Sequence, residues 1–169
     1  SRQVNLGDPS DPDPQMGPVA SERAIENIKA QLKDAVDKGA SITLGGRIDG
    51  HMVYPTVVVG ATQDMAGVRE ETFGPVSFIV KFQDSDEALR LVRDNRYGLR
   101  ASVYGDETAV NFGNELVGES YCHPMDKMTF GTFGTVGVNQ GRSESWKGAF
   151  VSKPVGGYGY SGWIWETID

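Results

Sequence analysis

The residues best equipped for chemistry lie in one short stretch, Arg69-Glu70-Glu71-Thr72-Phe73-Gly74-Pro75-Val76, where two carboxylates and an aromatic stand beside a glycine and a proline. A carboxylate in such a turn can accept hydrogen bonds from a vicinal diol such as a ribose, and an aromatic face two residues on can pack against a flat ring. The competing reading is a solvated turn with a core-anchoring Phe. On residue types alone both stay open.

Two other stretches fail on context. Gly157-Tyr158-Gly159-Tyr160-Ser161-Gly162 satisfies G-x-G-x-x-G, but no strand pattern leads into it and only residues 163–169 follow. A dinucleotide site needs a strand before that motif, a helix after it and an acidic residue about 20 positions downstream. It reads as a glycine-rich turn. Cys122 and His123 are adjacent, yet neighbours on an extended segment point to opposite faces, and nothing nominates an orienting acid or oxyanion donors. Cys122 reads as a structural or partly exposed cysteine, and no catalytic residue is assigned.

The elements that must position the acidic turn are legible in part. Ser21 offers an N-cap to a helix over 22–38, with Ile25, Ile28, Leu32, Ala35 and Val36 at spacings of three and four and Gly39 at its end. Strands are predicted at 41–44, at 55–59 with burial on both faces, at 77–82, at 100–104 and at 134–139. Asp84 with Glu87 resembles a capping box opening a helix that stops near Asn95, and a weaker helix over 107–117 is interrupted by Gly113. The proline-rich stretch 7–14 predicts an extended surface segment. Strands alternating with helices predict an α/β fold, a mostly parallel sheet with flanking helices, in a single domain over 1–169.

Composition bounds the partners. Sixteen Lys and Arg stand against 23 Asp and Glu, a net charge of −7, and no basic cluster supplies the footprint that nucleic acid or an anionic membrane surface requires. With 38% hydrophobic residues the chain has material for a core, and no apolar run approaches the roughly 20 residues that span a bilayer. One cysteine makes no internal disulfide, which suits a reducing cytoplasm. Two histidines, without Cys-x-x-Cys or His-x-x-x-His pairings, leave no metal site expected.

The acidic turn resembles the Glu-Glu-Ile-Phe-Gly-Pro-Val motif of the NAD(P)-dependent aldehyde dehydrogenase superfamily, and its neighbours fall in that family's order. They include Met16-Gly17-Pro18-Val19, Lys38-Gly39-Ala40, Gly45-Gly46, Tyr54-Pro55-Thr56-Val57, Asn95-Arg96-Tyr97-Gly98-Leu99, Gly137-Val138-Asn139 and Gly156-Gly157 with Ser161-Gly162. The resemblance covers nearly the whole chain and implies the C-terminal part of the catalytic domain. It implies that Glu71 hydrogen-bonds the nicotinamide ribose, that Phe73 packs by the nicotinamide, and that Trp146 and Phe150 make apolar contacts to the substrate.

The same resemblance implies NAD or NADP as cofactor, with binding weak or absent in this chain. It places the cysteine nucleophile, the general base and the nucleotide-binding domain ahead of Ser1; Cys122 lies after the acidic turn and does not match the nucleophile. The expectation is an aldehyde dehydrogenase fragment, inactive alone, whose parent oxidises an aldehyde to a carboxylic acid. Its expected partners are further copies of itself or a missing N-terminal portion. The alternative is an oligomeric interaction module or small-molecule-binding module derived from that fold.

Overall fold

The computed structural model describes residues 4–8, 10, 12–117, 133, 135–139 and 158–159. They fall into two compact units, Ser1–Phe82 and Gln83–Asp169.

In the first unit, helix α1 spans Glu22–Asp37, and the Ser21 hydroxyl accepts the Ala24 N–H at 3.2 Å. Its stripe of Ile25, Ile28, Leu32 and Ala35 is buried, and Gly39 at φ 94° ends it as the spacing predicts. Strands β1 (Ser41–Leu44), β2 (Ile48–Asp49), β3 (Met52–Val53) and β4 (Thr56–Ala61), helix α2 (Ala66–Arg69) and strand β5 (Val76–Val80) follow. The proline-rich segment is not simply extended. It turns back on itself, with Gln15 and Met16 N–H both reaching the Asn5 carbonyl.

The main sheet has the order β1-β4-β5, with β4 parallel to β5 and antiparallel to β1. The connections explain the mixture. Residues 62–75 carry α2 and make the crossover that a parallel pair needs, whereas residues 45–55 carry only the antiparallel β2-β3 pair and return the chain alongside itself. Ile42, Val58 and Phe78 are in register on one sheet face, where Val58 is buried and Phe78 half-buried against the core while Ile42 on the outer strand stays exposed. Gly60, at φ 77°, sits in a register shift that returns Ala61 to that face. Burial on both faces of β4 is not what forms: Thr56, Val58 and Ala61 are buried while Val57 and Val59 are half-buried, because the core cluster of Ile28, Leu32, Ala35, Ala40, Val53, Val58, Ala61 and Met65 lies on one side.

In the second unit, helix α3 spans Ser85–Arg93, with Asp84 accepting the Glu87 N–H at 2.8 Å and Glu87 Oε2 accepting the Gln83 N–H at 2.7 Å. Strand β6 (Tyr97–Gly98) pairs antiparallel with β9 (Tyr158–Gly159). The middle of the G-x-G-x-x-G stretch is thus a short strand. Strand β7 (Arg100–Val103) pairs parallel with β8 (Thr135–Val138), and helix α4 (Thr108–Val117) packs on both. Gly113 does not interrupt α4. A Cβ there would lie 2.9 Å from Val138 Cγ2, so the missing side chain lets the helix settle on β8. Asn139, at φ 52°, exchanges two hydrogen bonds of 3.0 Å with the Gly105 backbone and closes the β7-β8 end. Among the described residues no helix is long and apolar enough to cross a membrane.

Candidate functional site

The acidic turn leaves the end of α2 and enters β5, so α2 must first be placed. Asp34 of α1 does this: its Oδ2 accepts the Ala66 N–H at 2.7 Å and its Oδ1 lies 2.9 Å from Lys38 Nζ. Lys38 also donates to the Asp64 carbonyl, 2.5 Å away. Met65, between Asp64 and α2, is fully buried. The Ala66 N–H, reinforced by Lys38, holds the Asp34 carboxyl below the usual carboxylate range.

A depressed folded pKa contributes stability that is present above the unfolded value near 4 and is lost as pH falls through the folded value. Asp34→Asn is therefore expected to be less stable than the parent near neutral pH, with the gap closing on acidification. Urea midpoints measured across that range test it; a gap that stays constant down to strongly acid pH would count against the assignment.

The turn itself is tied down along its inner side. The Glu70 N–H donates to the Ala66 carbonyl at 2.8 Å, and the Thr72 hydroxyl donates to Gln31 Oε1 of α1 at 2.7 Å. Gly74 N–H reaches Thr72 O at 3.0 Å, Val76 N–H reaches Gly74 O at 2.9 Å, and Pro75 O accepts the Thr56 N–H of β4 at 2.8 Å. Two successive three-residue turns are thus centred on Phe73 and Pro75. Gly74 lies hard against α1, where a Cβ would stand 2.4 Å from Ile28 Cδ1.

With Thr72 and Gly74 facing inward, the residues between and before them face out. Glu71 is exposed, Thr72 half-buried, and Phe73 is 69% exposed. The core-anchoring Phe is thereby excluded; the anchors are Thr72 and Gly74. Glu71 and Phe73 are presented together, a carboxylate acceptor beside an uncovered aromatic face. On the inner side, Gly67, Val68, Glu70, Thr72, Val76, Phe78 and Val80 line an open groove of about 340 Å³. Trp146, Phe150, Cys122 and His123 lie outside the described residues. Among the described residues no group of His, Cys, Asp and Glu is placed to hold a metal ion.

Sequence reasoning missed the supports. Gln31 falls on the apolar stripe of α1, three residues after Ile28 and four before Ala35, and is 2% exposed. A polar residue on that stripe was the available signal.

Known proteins resemble this chain in sequence and in fold. Residues 1–166 match the aldehyde dehydrogenase family, and the chain belongs to that family. It is 41% identical over 104 residues to the NADP(+)-dependent succinate-semialdehyde dehydrogenase of Deinococcus radiodurans, covering 60% of this chain and 22% of that protein. It is 33% identical over 164 residues to a probable succinate-semialdehyde dehydrogenase of Sinorhizobium fredii, covering 95% and 30%. Among solved structures, betaine aldehyde dehydrogenase of Staphylococcus aureus in complex with NAD+ superposes with a TM-score of 0.72 at 29% identity, over 95% of this chain and 30% of that one. A variant of aldehyde dehydrogenase C from Pseudomonas syringae, in complex with NAD+ and octanal, gives 0.74 at 28% identity, over 95% and 30%. The chain thus spans less than a third of the length of these relatives.

Proposed function

We propose that this chain supplies one wall of the cofactor site of an NAD(P)-dependent aldehyde dehydrogenase, an enzyme that oxidises an aldehyde to a carboxylic acid. The supporting observation is the turn at 70–76, which projects Glu71 and Phe73 while Thr72 and Gly74 are held on α1. The two side chains fit the group: an ionised carboxylate accepts two vicinal hydroxyls, and an uncovered ring offers a flat apolar face. When bound, NAD(P) supplies the hydride acceptor. Glu71 would orient the ribose, and Phe73 would cover one side of the nicotinamide and exclude water there. Trp146 and Phe150 are assigned as apolar contacts to the aldehyde.

One edge makes few contacts, and a millimolar dissociation constant already needs about 4 kcal/mol of net binding energy. The 169-residue chain titrated with NAD+ or NADP+ is therefore expected to bind weakly, with NMR shifts concentrated in the amides of 70–76, and to reduce no cofactor with a panel of aldehydes. Amides that do not respond at millimolar cofactor would sink the reading, as would turnover abolished by Cys122→Ser.

A second reading, self-association, rests on apolar exposure. Phe73, Ile79 and Phe82 are 69%, 43% and 60% exposed. Ile79 shares the outer sheet face with Leu44, Val57 and Val59 by register. Such surface tends to be covered by association. Sedimentation should find a dimer or larger species; monomer alone at high concentration argues against it.

A further inference from the structure

We propose that Gln31 is a positioning residue for the cofactor edge, acting through the Thr72 hydroxyl to set the direction of Glu71 and Phe73; the claim rests on the function proposed above. Gln31 is 2% exposed and packs in the α1 stripe beside Ile28, Leu32 and Ala35. Its Oε1 accepts from Thr72, and its Nε2 has no hydrogen-bond partner among the described residues. Burying an amide with a donor unmatched costs free energy, so for packing alone an unbranched apolar side chain of similar length, such as Met, would serve better. What Met cannot do is hold a hydroxyl.

The hydroxyl it holds is placed for leverage. Thr72 lies between Glu71 and Phe73, and its hydroxyl ties the middle of the turn to α1 by a hydrogen bond across 41 positions of sequence, beside the packing of Gly74 on Ile28. The neighbouring ties act at the ends: Glu70 N–H on the α2 carbonyl of Ala66, and Pro75 O on Thr56. Rotation at Thr72 swings the flanking residues together, so releasing it would leave a diol and a ring to be captured by side chains that must first be ordered. Ordering at the moment of binding is charged against affinity, which is why a preorganised edge binds better.

The test compares Gln31→Met, Thr72→Val and Thr72→Ser with Glu71→Ala in the 169-residue chain. Three quantities are read: the NAD+ dissociation constant by NMR titration, hydrogen exchange of the Gly74 N–H, and the thermal midpoint. The expected result is that Gln31→Met and Thr72→Val each weaken NAD+ binding about threefold to tenfold, the scale of one hydrogen bond. Exchange at Gly74 should quicken, the midpoint of Gln31→Met should hold or rise, and Thr72→Ser should behave as the parent. If Glu71→Ala weakens binding while Gln31→Met and Thr72→Val do not, the positioning role is wrong and the cofactor edge stands. If affinity and midpoint fall together and Thr72→Ser restores neither, Gln31 is structural only. If Glu71→Ala changes nothing, the cofactor reading fails and carries this one with it.

Discussion

Glu71→Ala is expected to weaken NAD+ binding by about tenfold to a hundredfold, because hydrogen bonds to a charged acceptor are worth roughly 1.5–3 kcal/mol and the exposed setting keeps the total near the lower end. Glu71→Gln keeps an acceptor oxygen and loses the charge, so it should fall between parent and Ala. Stability is a clean control. Glu71 is exposed, and the ties that shape the turn come from Thr72, Gly74 and Pro75, so neither variant should shift unfolding by more than about 0.5 kcal/mol. A titration in which Glu71→Ala binds NAD+ as the parent does would remove Glu71 from the cofactor site.

The other large effect concerns the contact between turn and helix. Gly74→Ala would place a methyl 2.4 Å from Ile28 Cδ1, and Ile28 is completely buried, so its side chain has nowhere to retreat. Overpacking of this kind costs about 1–3 kcal/mol. The overlap is with one specific atom, and Ile28→Val deletes it. Alone, Ile28→Val should cost about 0.5–1.5 kcal/mol; in the double variant the two losses should fall short of their sum by about 1 kcal/mol or more. Denaturant unfolding of the four proteins measures the cycle. Strict additivity would mean that Gly74 does not meet Ile28 as described. The cycle bears on function as well, since this contact sets where the turn sits on α1.

The family motif is readable in the sequence, and so is most of what surrounds it. Ser21 and the stripe from Ile25 to Ala35 announce α1, Asp84 with Glu87 announces the start of α3, and the β-branched run around Val58 announces β4. Each signal is local, a cap or a period carried by residues within a few positions of one another. The shortest elements gave no such signal. β2, β3, β6 and β9 have two residues apiece and α2 has four, too few for a period to register. Gly113 misled for a related reason: in isolation a glycine weakens a helix, and only the nearness of Val138 explains it.

The chemistry of the acidic turn was legible as residue types; its geometry was not. By itself the chain's sequence determined that a carboxylate and an aromatic stand two apart in a proline-stiffened turn of the aldehyde dehydrogenase family, on a helix and strands it could nucleate locally. Tertiary structure alone decided that Phe73 faces out, that Thr72 and Gly74 are the anchors, that β1 runs against β4, and that a buried Gln31 grips the turn. The physical reason is distance along the chain: caps and periods act over one or two turns of helix, whereas Thr72 meets Gln31 and Gly74 meets Ile28 only after α1, the sheet and α2 have been assembled around one core.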